Sequence, residues 1–224
     1  MNGGFERRLS EGVDVICREC LGLSEREKLL VLADPPEMEV AETIAGCALE
    51  HGFDSSLVRI PLVERAGSAP RGFTRELLAS ADAALLVTGR SLSHTEARRR
   101  ACREDGVRVA SMPGLTLEML ARLFPAGSAE NAASATQSAV NLLEGVSQVR
   151  VRAEAGTDIT FSLHGRKIYQ DNGLYREPGR FGNLPAGEVC ASPLESSAEG
   201  RIVVDVAFAG LGSVNGLELT VSGG

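Results

Sequence analysis

Two runs, KLLVLAD at 28–34 and AALLVTG at 83–89, constrain this chain more than anything else in it. A strand with one wet face alternates apolar and polar residues, and these two do not alternate. Strands buried on both faces, as in a parallel sheet between two helical layers, read this way. The segment EMEVAETIAGCALEHG at 37–52 carries Val40, Ala41, Ile44, Ala45, Ala48 and Leu49 at helical spacing and stops at Gly52. SLVRIPLV at 56–63 is a further strand, and its Pro61 points to a sheet edge. FTRELLASA, SHTEARRRACRED, LTLEMLARLF and the alanine-rich stretch 128–145 read as helices, and VRVASM as a strand. Ser93 and Glu96 have the spacing of a capping box. This alternation predicts an α/β fold over 1–145, a mainly parallel sheet with helices on both faces. Ligands in such sheets sit beyond the carboxyl ends of the strands, here near Asp34, Gly89 and Pro113.

After Gly145 the pattern changes. QVRVRAEA, DITFSLHG, EVCASP, RIVVDVAFAG and LELTVSG are short alternating runs separated by turn residues. They predict a partial β-rich second domain over 146–224. The last strand finishes as the sequence does, which leaves an edge without a partner and an expectation that the domain is C-terminally incomplete.

The net charge of -7 argues against a nucleic-acid partner, which would select a basic face. No apolar run approaches the roughly 18 residues of a membrane span. The N-terminal stretch is too charged for a signal peptide, so a cytoplasmic location is the default expectation. Five cysteines, an odd number in a chain this long, read as reduced. Cys17 and Cys20 form one CxxC; two ligands do not close a tetrahedral zinc site, and packing is the expected role.

Among the histidines, His51 ends a helix and His164 stands at an expected hairpin turn. His94 follows the strand that ends at Gly89, which makes it the histidine placed best for function, against the alternative of a polar helix-start residue. Arg98, Arg99, Arg100 and Arg103 form a basic helix face that reads as solvated, with a grip on an anion or a partner as the alternative. Gly210, Gly212 and Gly216 imitate a dinucleotide fingerprint but precede no helix, so that reading is rejected. No GxSxG elbow and no phosphate loop occur. Glu188, after the turn NLPAG, opens a strand that places it on one face with Cys190. A carboxylate on a rigid strand suits a metal site, but spacing supplies no second ligand, and from the residues alone the structural reading stands. Glu195 reads as an exposed loop residue, with a carboxylate behind a site or on its substrate side as the alternative.

The stretches GTDITFSLHGRK at 156–167 and DNGLYREPGRFGNLPAGEVCASPLE at 171–195 resemble the thermophilic metalloaminopeptidase (aminopeptidase T, or leucyl aminopeptidase-like) family. SLSHTEARRRACREDGVRVASMPGLTLEML and IVVDVAFAGLG are similar to it as well. The resemblance implies an α/β first domain, a β-rich metal domain, a two-metal site of zinc, cobalt or similar ions, peptide substrates and a homodimer. It implies that Glu188 is a metal ligand. The remaining ligands of that family have no counterpart here, so the chain alone is expected to lack peptidase activity. A cousin in the same superfamily opens a dihydroxypyridine ring with one non-haem iron(II). It makes a ring-cleaving dioxygenase the enzymatic alternative, with His94 on the substrate side. A non-catalytic binding or assembly module is the third reading.

Overall fold

A computed structural model of the chain describes residues 3–208 and 211–224. Gly210 of the glycine trio lies outside them. The helices are α1 (Gly3–Asp14), α2 (Met38–Glu50), α3 (Arg75–Leu78), α4 (Glu96–Asp105), α5 (Leu117–Leu123) and α6 (Ser128–Leu143). The strands are β1 (Lys28–Ala33), β2 (Asp54–Arg59), β3 (Ala83–Val87), β4 (Arg108–Ser111), β5 (Gln148–Arg152), β6 (Asp158–Ser162), β7 (Tyr169–Asp171), β8 (Phe181–Asn183), β9 (Glu188–Cys190), β10 (Glu199–Val204), β11 (Ala207–Phe208), β12 (Gly212–Ser213) and β13 (Leu217–Val221).

The chain divides into two compact units that interleave in sequence. One is Met1–Thr136 with Asp171–Glu188, the other Gln137–Gln170 with Val189–Gly224. The first holds a five-stranded sheet in the order β2-β1-β3-β4-β8, parallel throughout. β2 lies at the edge, as expected, though it runs over Asp54–Arg59 and stops short of Pro61.

The alternation along β1 and β3 sorts their side chains onto two cores. Leu29, Val31, Ala33, Ala83, Leu85 and Val87 face one, which α1, α2 and α5 cover. Leu30, Leu32, Ala84 and Leu86 face the other, under α3, α4 and the loop residues Ile60, Val63 and Phe73. Every residue of β3 is buried, which is why the run carries no polar side chain. The α/β expectation is met, with helices on both faces of a mainly parallel sheet. α4 ends on Gly106 at φ 72°, the left-handed position that glycine fills without strain.

Cys17 and Cys20 lie in a π-helical segment, Val15–Cys20, that continues α1. Both are buried and unbridged, and burial pushes both thiols up to about 12, so they pack and do not react. His51, at the end of α2, does not simply face solvent. It is half-buried, with Nε2 2.9 Å from Ser10 Oγ and 3.0 Å from Ser10 O, tying the end of α2 to α1. No helix among the described residues is long and apolar enough to cross a membrane.

The second unit holds an antiparallel sheet in the order β13-β10-β6-β5. Its register places Val149, Val151, Ile159, Phe161, Ile202, Val204, Leu217, Leu219 and Val221 on one face, and the alternate positions are polar or charged except Val203. Of that apolar face only Ile159 is buried; Val151 is 43% exposed.

The two sheets therefore differ in how much each side chain stabilises. Leu86→Ala, at a fully buried site, is expected to cost about 2–5 kcal/mol. Leu219→Ala, on the half-covered face, is expected to cost less than about 2 kcal/mol. Urea denaturation of the two variants checks the order.

Candidate functional site

The carboxyl rim of the parallel sheet is built around Asp34, the residue after β1. Its carboxylate is buried and accepts from two backbone donors, Val63 N–H at 3.1 Å and Gly89 N–H at 3.0 Å. A buried carboxylate needs such donors, since left alone it would lose its hydration for nothing. Asp34 thereby fixes the loops that follow β2 and β3 on either side of it. Burial, then the neighbouring Asp34, raises the Glu37 carboxyl above its usual value. Beside the rim a cavity of about 290 Å3 is lined by Leu62, Val63, Glu64 and Arg71, among others.

The loop after β3 is pinned from below. Arg98, buried in α4, donates through Nε at 2.7 Å and through its terminal nitrogen to Ser93 O, and its guanidinium stacks 3.8 Å from the Phe181 ring centroid. Burial lowers its pKa, and it stays paired with a carbonyl dipole and an aromatic face. Ser91 Oγ donates to Ser93 Oγ at 2.8 Å, and Ser93 Oγ to Asn183 Oδ1 at 3.3 Å. This corrects the capping-box expectation: Thr95 is the residue before the helix, and Ser93 turns to Asn183 instead. Residues 91–95 thus present His94 outward, exposed, on a loop held on both sides.

The rest of the basic face of α4 is paired. Arg99 meets Glu96, while Arg100 and Arg103 meet Glu104. Arg75 of α3 joins through Glu104 and Asp105. These groups are a surface network, and no anion grip remains in them.

Asn183 belongs to a knot that sequence reasoning missed. Tyr175 Oη lies 2.5 Å from Asp171 Oδ1 and 2.7 Å from Asn183 O, and Asn183 N–H donates to Asp171 Oδ2 at 2.8 Å. Burial first, then Asp171, holds the phenol well above its ordinary pKa, with a further push from Glu188. A Cβ on Gly182 would overlap both Tyr175 Oη and Asp171 Oδ1, so the close approach requires glycine. The signal in the sequence is the pair Asp171 and Tyr175 flanking Asn172 and Gly173; neither residue has a motif of its own.

Glu188 opens β9, exposed, near enough to Tyr175 for its charge to be felt there. His94 and Glu188 form no side-chain hydrogen bond or ion pair among the described residues. Glu195 is also exposed and pairs with Arg166; its own backbone N–H, then Arg166, lower its carboxyl below the usual value. Among the described residues no group of three or more His, Cys, Asp or Glu side chains comes together to hold a metal. The structure therefore does not gather His94, Glu188 and Glu195 into one cluster.

Two outcomes follow from this geometry. Asp34→Asn keeps the shape but replaces one accepting oxygen by an NH2 facing an N–H. It is expected to lower stability by about 1–3 kcal/mol in urea denaturation. Glu104 is held down from 4.5 to about 2, by Arg100 first and Arg103 next. Its contribution is complete above the ordinary carboxylate range and is lost as pH falls through that range toward 2. Thermal unfolding of Glu104→Gln between about pH 5 and pH 2 is expected to show a shallower loss of Tm with acid than the parent chain.

Comparison with known proteins places this geometry in a family. The sequence model of the NicX family, 2,5-dihydroxypyridine 5,6-dioxygenase, matches residues 23–209. The 2,5-dihydroxypyridine 5,6-dioxygenase of Pseudomonas putida (strain KT2440) is 35% identical over 89 residues, 40% of this chain and 25% of that protein. The solved structure of a 2,5-dihydroxypyridine dioxygenase from Pseudomonas putida KT2440 superposes with a TM-score of 0.74 at 20% identity, over 98% of this chain and 66% of that one. AmpT from Thermus thermophilus superposes with a TM-score of 0.65 at 17% identity, over 98% of this chain and 70% of that one. The chain thus spans less than two thirds of the solved dioxygenase, and at these identities the two superpositions speak for the fold alone. The resemblance to aminopeptidase T holds at that level. The expectation of a peptidase, a hydrolase acting on peptides, does not: the matching family and the curated relative are both named for ring-cleaving dioxygenation. This chain belongs to the NicX, 2,5-dihydroxypyridine 5,6-dioxygenase, family.

Proposed function

We propose that the chain serves the oxidative opening of a hydroxylated pyridine ring and contributes the substrate-facing rim of that reaction. The observation that carries the reading is the family match over 23–209, which takes in the rim loops, the Tyr175 knot and Glu188. The enzymatic alternative read from the sequence is therefore preferred to the peptidase.

Ring-cleaving dioxygenation draws its oxygen chemistry from a metal, iron(II) in this reading in place of the zinc or cobalt of a peptidase. Such an ion takes several protein donors. The described residues do not fit it on their own, since no three donors converge and Glu188 is a lone carboxylate. The part assigned to this chain is binding and orientation. A dihydroxypyridine is flat, with hydroxyl groups that donate and a ring that tolerates apolar contact. His94, carried outward on the pinned loop, is suited to accept a hydrogen bond from a ring hydroxyl at its free ring nitrogen. Arg98 and Asn183 position that loop through Ser93 and do not touch the ring.

Because the donor set is incomplete among the described residues, binding is the direct measurement. The chain is titrated anaerobically with 2,5-dihydroxypyridine, with and without ferrous iron, and oxygen uptake is recorded in parallel. Saturable binding is expected, with His94→Ala weaker by about fivefold, the loss of one hydrogen bond. No binding up to millimolar ring, or amino-acid release from peptides that a chelator abolishes, would sink the proposal.

A further inference from the structure

The second unit carries a cavity of about 650 Å3, the largest of those described, between the end of α6 and the turn after β6. Its volume is in the range of sites that hold small organic ligands. Leu143, Leu163 and Ile168 supply apolar lining. His164, Arg166 and Lys167, from the LHGRK stretch, supply the polar side, against one lining carboxylate, Glu144.

Three observations concern Arg166 and Lys167. Arg166 Nε is buried and has no hydrogen-bond partner among the described residues. A buried guanidinium N–H without an acceptor is costly, and such groups in folded proteins are met by a partner, a water or an ion. The same guanidinium reaches Glu195, an exposed side chain whose hold on it is open to competition from solvent and solutes. Among the described residues Lys167 Nζ has no carboxylate partner, and it lies 5.1 Å from the Tyr169 ring centroid, a cation beside an aromatic face. A planar fork and a point charge together select an oxyanion, and the apolar lining favours a body attached to it.

We infer that this cavity is a binding site for a small organic carboxylate with an unsaturated or aromatic body, whose oxygens meet Arg166 and Lys167 while its body lies on Leu143, Leu163 and Ile168. The site stands on the second unit alone and does not depend on the dioxygenase reading. Inorganic phosphate shares the charge but has no body to fill the apolar part. Glu195 competes with the ligand for Arg166, so removing its charge favours the ligand.

The test is a titration of the full chain with sodium benzoate, followed by amide chemical shifts in two-dimensional NMR. Benzyl alcohol serves as the neutral isostere and inorganic phosphate as the bodiless anion. Saturable benzoate binding is expected, with shifts concentrated in 140–147 and 163–168. Benzyl alcohol and phosphate are each expected to bind at least tenfold more weakly. Arg166→Gln is expected to weaken benzoate at least tenfold and Lys167→Gln about threefold, while Glu195→Gln tightens it about threefold. Should Arg166→Gln not fold, Lys167→Gln and Glu195→Gln carry the test, because a merely structural role for Arg166 would not make affinity rise in Glu195→Gln. Equal affinity for benzoate and benzyl alcohol, equal affinity for phosphate, or shifts confined elsewhere overturn the assignment.

Discussion

The rim of the parallel sheet depends on one buried carboxylate. Asp34 sits where β1 ends, out of water, and survives there because two loops supply backbone N–H groups to it. The dependence runs both ways. Without those donors the carboxylate would carry its full desolvation cost, and without the carboxylate the loops after β2 and β3 would be left with one buried and one part-buried N–H without this acceptor. The arrangement converts the carboxyl edge of an ordinary sheet into a defined surface. Glu37 feels it as a raised carboxyl.

A second constraint returns the chain to that edge. After its excursion through 137–170 the polypeptide comes back to the first unit at Asp171, and β8 pairs with β4 through only three residues. A parallel pair so short is weak by itself. The Asp171–Tyr175–Asn183 knot holds it, with Gly182 giving the phenol room and Tyr175 N–H donating to Cys20 O at 2.7 Å. The same knot fixes where the chain stands when it reaches Glu188, five residues past Asn183. Arg98 adds the third support, since it joins Ser93 of one loop to Phe181 of β8.

These relations explain which parts of the molecule are legible from sequence. The parallel sheet is legible because burial on both faces writes itself as unbroken apolar runs, and the helices because one stripe of each must be covered. The edge position of β2 is met, but the strand ends at Arg59, so Pro61 stands beyond it and takes no donor from the ladder. β8 is not legible: FGN lies inside a stretch rich in Gly and Pro, and its partner is some seventy residues earlier, so no local pattern marks it. The Ser93 reading fails for a related reason. A hydroxyl three residues before a glutamate has the spacing of a cap, but a distant Asn183 competes for it and Arg98 takes over the carbonyl beside it. Of the candidate site residues, His94 and Glu188 are found by position relative to strand ends, whereas Asp171 and Tyr175 act only through partners that folding brings to them.

The correction from peptidase to dioxygenase has the same physical root. The stretches that resemble aminopeptidase T include GNLPAG, Gly182 among them, and the segment around the Tyr175 knot. Their residues are dictated by close approach, turn geometry and buried hydrogen bonds. A scaffold of that kind can be shared by enzymes with different chemistry, because none of those requirements refers to the reacting atoms. Chemistry is decided by the donor set around a metal and by the groups that meet the substrate: carboxylates bridging two ions serve hydrolysis, while a His and carboxylate face with open positions serves oxygen. Glu188 is compatible with either, so its presence discriminates nothing. The discrimination comes from the family-level match over 23–209, not from any one side chain.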